Sequence, residues 1–136
     1  MFRDVLAGAC VCLATISQTN AAEQWIAVDL GSARTEALCV EAGTSAVLSF
    51  ANVFGADSIR HSAWTVSATG LSNGPHDAII TCNHAAAKTV RATLVVHSPD
   101  KDASRMIARR ISMNYAEDYQ QREKIWLQEA FRKMGM

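Results

Sequence analysis

Residues 78–84 read Ala78-Ile79-Ile80-Thr81-Cys82-Asn83-His84, and residues 90–97 read Val90-Arg91-Ala92-Thr93-Leu94-Val95-Val96-His97. In the first run Ala78, Ile80, Cys82 and His84 alternate with Ile79, Thr81 and Asn83. In the second, Val90, Ala92, Leu94 and Val96 alternate with Arg91, Thr93, Val95 and His97. Side chains of a strand point to opposite faces in turn, so a period of two is what a strand with one covered face imposes. Upstream, Ser58 to Ala68 alternates too. Arg60, Ser62, Trp64, Val66 and Ala68 share one side, and Ile59, His61, Ala63 and Thr65 share the other. Ser72-Asn73-Gly74-Pro75-His76-Asp77 has turn composition, because Asn and Gly tolerate positive φ and Pro presets its own. Three such segments with turns between them predict an antiparallel meander with one face buried.

Working outward, Trp25 to Leu30 is a short apolar strand ended by Gly31, after which Ser32 can cap a helix. Thr35, Cys39, Ala42, Ala46, Phe50, Val53 and Phe54 then recur at intervals of three and four on one helical face, and Gly55 closes the run. Gly43-Thr44-Ser45 inside it leaves a turn between two strands as the alternative. A bond between Cys39 and Cys82 makes the Ala78–Ile80–Cys82 side the face that the helix covers. The expected fold is α+β: an antiparallel sheet of three to four strands, a disulfide-stapled helix on one face, and a C-terminal helical extension. An immunoglobulin-like sandwich also has Cys, Trp and Cys in order, but there the Trp follows soon after the first Cys. Trp64 stands nearer Cys82 than Cys39, and the helical C-terminus does not belong to such a sandwich.

Asp102 to Met134 contains neither Pro nor Gly and is rich in helix formers. As one helix it would be roughly 50 Å long at ~1.5 Å per residue, against a radius of gyration near ~13 Å for a domain of this size. Ile107, Ile111 and Tyr115, flanked by Ala103 and Asn114, define one apolar face. That face runs on into Asp118 and Arg122, while Tyr119, Trp126, Leu127, Ala130 and Phe131 are rotated away from it. A straight helix cannot bury both sets against the same core. A break near Asn114–Asp118 that folds the tail back is the leading expectation; the others are a protruding helix that packs on another molecule and a frayed tail. On the second outcome Trp126, Leu127, Ala130 and Phe131 form a patch facing an unknown protein partner or a second copy.

At the N-terminus Arg3 precedes an apolar run, Val5 to Ile16, then polar Ser17 to Asn20 and the small pair Ala21-Ala22. That order is the signature of a cleavable signal peptide, and the run is too short for the ~20 residues a spanning helix needs. The expected division is a signal peptide at 1–22, an α+β domain at 23–114 and a helical tail at 115–136. Removing Arg3 and Asp4 leaves 12 basic and 12 acidic residues in the mature chain. Zero net charge gives no electrostatic footprint for nucleic acid or for an anionic membrane. Cys10 and Cys12 leave with the signal. Cys39 and Cys82 then pair most simply in the oxidising periplasm or extracellular space; for so long a loop the chain-entropy model gives roughly 4 kcal/mol.

Ile26-Ala27-Val28-Asp29-Leu30-Gly31-Ser32 resembles the first phosphate-binding hairpin of the actin and Hsp70 ATPase superfamily, where Asp-Leu-Gly-Ser or -Thr follows an apolar strand. The resemblance covers seven residues, and that superfamily holds its nucleotide between two large lobes, several times this length. The segment reads as strand, turn and cap. His61 and His97 fall on the same open side of the expected sheet, and His84 on the covered side near Cys82. Imidazoles on neighbouring strands can share a metal, but no H-x-x-x-H or C-x-x-C accompanies them, so no metal or cofactor residue is assigned. Gly-x-Ser-x-Gly and His-Glu-x-x-His are missing, and scattered Ser, His and Asp do not make a triad without geometry. The expectation is a noncatalytic interaction or assembly module; the alternative is a small metal- or ligand-binding protein using the open sheet face around His61 and His97.

Overall fold

The structure, a computed structural model, describes residues 24–86 and 88–135; the expected signal peptide lies outside the described residues. The chain forms β1 (Gln24–Ala33), α1 (Glu36–Phe54), β2 (Ser58–His61), β3 (Thr65–Thr69), a 3-10 turn at Leu71–Asn73, β4 (Asp77–Ala86), β5 (Thr89–Ser98) and α2 (Lys101–Lys133). The strands make one sheet in the order β1-β5-β4-β3-β2, with every neighbouring pair antiparallel. The fold is therefore α+β, with five strands rather than three to four.

The extra strand comes from Ser58 to Ala68, which is a hairpin instead of one strand. Ser62 makes the turn: its Oγ accepts from the N–H groups of Trp64 and Thr65, and its own N–H donates to Thr65 O. The hairpin puts Ile59 opposite Ala68 and His61 opposite Val66. Val66 and Ala68 are buried, so His61 belongs to the covered face, whereas His97 alternates with buried Val96 and lies on the open one. The expected placement of His61 and His97 on one side is overturned by this reversal of direction.

Both helices cover the same face, α1 over β3 and β4 and α2 over β1 and β5, and among the described residues no element covers the other. Phe50, Ile80, Leu94, Val96, Ile107 and Ile111 fill the space between the layers; each full burial of such a side chain contributes about 1.5–3 kcal/mol. The Cys39–Cys82 disulfide ties α1 to β4 within this core. β1 and β2 are the two sheet edges, so α1 carries the chain from one edge to the other.

Gly43 does not break α1. It marks the close approach of the helix to the sheet, where an added Cβ would lie 3.3 Å from both Ile80 Cδ1 and Val66 Cγ2. Thr44 returns its hydroxyl to Val40 O, and Ser45 reaches across to Asp118. The cap of α1 is Thr35, whose Oγ1 accepts from Leu38 N–H, and not Ser32. Ser32 remains in β1, which continues beyond Leu30 through a bulge between Asp29 and Gly31. The φ of +97° at Gly31 suits a residue without Cβ, and Gly55, at φ +94°, ends α1 as expected.

α2 is one unbroken helix of 33 residues, capped by Asp100, whose carboxylate accepts from the N–H groups of Asp102 and Ala103. The expected break near Asn114–Asp118 does not occur. The first stripe, Ile107, Ile111 and Tyr115, is buried as its period requires. Tyr119 still packs against the core, and no α2 side chain beyond it belongs to the core cluster.

Candidate contact surface

Where β1 ends, Arg34 clasps three successive turns of α2. Its backbone N–H donates to Tyr119 Oη at 2.8 Å, its Nε donates to Glu123 at 2.9 Å, and its guanidinium lies 5.9 Å from the centre of the Trp126 ring. Tyr119 in turn donates to Glu123. Burial raises the Tyr119 pKa, partly offset by the Arg34 N–H that its oxygen accepts, so at neutral pH the phenol is a neutral link between the two. On the α1 side Arg122 bonds Asp118 and Glu41, and Asn114 donates to Ala46 O at 3.3 Å. These contacts fix the direction in which α2 leaves the body of the protein.

Beyond Trp126 no side chain of α2 makes a hydrogen bond or ion pair to the rest of the chain among the described residues. Ile125 is 54% exposed, Phe131 47%, and Met134 is open as well. The four residues singled out from sequence therefore divide. Trp126 turns toward the body, under Arg34. Leu127 and Ala130 are half-buried along the helix, and Phe131 stands out into solvent on the overhang. Sequence reading missed Arg34; the spacing of Tyr119, Glu123 and Trp126 on one helical face was the signal that a single side chain could reach all three.

Elsewhere the chemistry is structural. Asp29, within the segment similar to a phosphate-binding hairpin, accepts from Gly31 N–H at 2.9 Å and pairs with Arg91, and these two partners lower its pKa. It closes the bulge in an edge strand. His84 sits 3.5 Å from Glu36 at the start of α1, on the covered side as expected. Among the described residues no three His, Cys, Asp or Glu side chains converge. His76 Nδ1 lies 2.6 Å from Ser98 Oγ, a spacing seen in nucleophile–base pairs. Ser98 is fully buried, however, and its hydroxyl is engaged with the backbone of Asp100, so no substrate carbonyl can reach it.

On the open face Trp25 lies against His97 with ring centres 4.2 Å apart. Together with Ile79, Val95 and Ser67 they line a shallow apolar cleft of about 230 Å³. Compared with protein-family models, curated proteins and solved structures, the chain matches none.

Proposed function

We propose that the protein is an exported, noncatalytic module that works in the periplasm or outside the cell by gripping another protein through the overhang of α2. The observation that supports this most directly is the unbroken α2, whose later turns leave Ile125 and Phe131 about half exposed and outside the core cluster. A long helix that left its body for no contact would expose these side chains at a cost, since apolar surface is stabilised by leaving water. The Cys39–Cys82 disulfide is of a kind common in exported proteins, and the charge, apolar run and small residues at 1–22 support the same compartment. In this reading the sheet, the staple and Arg34 have one task, to hold α2 rigid at a fixed angle.

A photo-reactive amino acid placed at Phe131 in the exported protein tests the reading. Irradiated cells should yield a defined protein adduct, and the same probe at Arg60 on the distant β2 edge should not. Equal or no trapping at position 131 would remove the support for a contact surface.

A further inference from the structure

We propose that the protein gripped by α2 presents a carboxylate-bearing peptide segment, which docks in the cleft where the end of β1, the β4–β5 turn and α2 meet. This rests on the contact-module reading and adds the chemistry of the partner. The cleft, of about 400 Å³, is lined by Ser32, Arg34, Lys88, Thr89, Glu123 and Trp126. Two cations there stand against one carboxylate. Glu123 is already engaged by Arg34 Nε and by the Tyr119 hydroxyl. Among the described residues the two Nη groups of Arg34 make no hydrogen bond, and exposed Lys88 makes no ion pair. This excess of positive charge, with the Ser32 and Thr89 hydroxyls beside it, suits an anionic group whose oxygens can accept several donors at once.

Lys88 holds its place against a backbone preference. It stands in the turn that brings Ala86 opposite Thr89, at a φ of +66°. Glycine or asparagine adopts that conformation readily, whereas a long side chain is strained there. The turn itself has no use for an amine, and the cleft beside it does. A peptide fits this cleft better than a free ion. Trp126 forms one wall, and Ala130 and the exposed, helix-capping Met134 follow it at four-residue intervals on the same side of α2. A chain with its carboxylate between Arg34 and Lys88 can lay an apolar side chain along that stripe, while an inorganic ion uses none of it.

A photo-reactive amino acid at Ser32, which is exposed on the rim of the cleft, tests the proposal in the oxidised, exported protein. It should trap the same protein as the Phe131 probe. Lys88→Gly should weaken trapping at Ser32 about threefold and Lys88→Glu about tenfold. The thermal midpoint of the Gly variant should be no lower than that of the wild type, because glycine suits the φ, so its loss of trapping is not unfolding. With the purified protein a fluorescent hexaglutamate should bind, hexalysine should not, and inorganic phosphate should not displace the hexaglutamate. Displacement by phosphate, or no binding of hexaglutamate, would overturn the acidic-peptide occupant. Trapping at Phe131 but not at Ser32, or trapping at Ser32 indifferent to both Lys88 variants, would overturn the cleft as the docking place while the contact reading stands. No trapping at either position would overturn both.

Discussion

Tyr115 shows how a residue that looks like part of a site serves the core. It is almost fully buried, with its ring 5.8 Å from that of Tyr119. Burial first, and the neighbouring Tyr119 second, push its pKa above the ordinary tyrosine value. The folded state therefore keeps the phenol proton when the unfolded chain, titrating near ~10, has begun to lose it. The stability from this group is complete below that pH and is lost as pH rises further. Unfolding free energy should be level through neutral pH and fall above about pH 10, and Tyr115→Phe should lessen the fall. Chemical denaturation at pH 8 and pH 11 measures it; an unchanged slope in the Phe variant would mean that the phenol is not shielded. The same residue limits any shortening of α2. A chain ending at Asn114 removes core, so tests of the overhang must alter exposed side chains.

The staple between α1 and β4 is an element-scale device, because it fastens the helix that crosses the sheet to a central strand. Its closed loop, with a sequence separation of 43, corresponds to roughly 4 kcal/mol in the chain-entropy model. For a domain of this size that is on the order of 20 °C in melting midpoint. Thermal unfolding with and without reductant should show a drop of that order, and Cys39→Ala with Cys82→Ala should reproduce it. A midpoint that does not move would mean that packing of Phe50, Ile80 and Val66 alone fixes α1. The elements were mostly legible beforehand because alternation in β4 and β5 and the stripe from Cys39 to Phe50 reflect burial directly. The β2–β3 hairpin was not, because alternation runs through Ser62-Ala63-Trp64 with no Gly or Pro to mark a reversal. One missed turn moved His61 to the other face and dissolved the expected histidine pair. The run of α2 was misjudged for a different reason. A rotated stripe forces a break only if both halves must meet the same core, and the second half leaves it. Gly43 likewise resembles a turn by composition, and only the close approach of Ile80 and Val66 explains it.

For the molecule as a whole, the layered body and the long helix have different tasks. The body packs its two layers around Phe50, Ile80 and Leu94 while leaving Val53, Trp64 and the cleft at Trp25 and His97 open, and α2 carries Phe131 beyond Trp126, the last residue that Arg34 reaches. The compartment and the contact role were inferred from sequence by the N-terminal pattern and by the absence of catalytic motifs. The clasp that aims the helix acquires meaning only once α2 is known to be continuous. Native mass spectrometry of the protein purified from the cell envelope tests the central claim most directly. The account expects chains that have lost residues 1–22, carry an oxidised Cys39–Cys82 pair and are held in a complex with another protein chain, whether a second copy or a different protein. A bare single processed chain, with neither a second copy nor another protein bound, would contradict it.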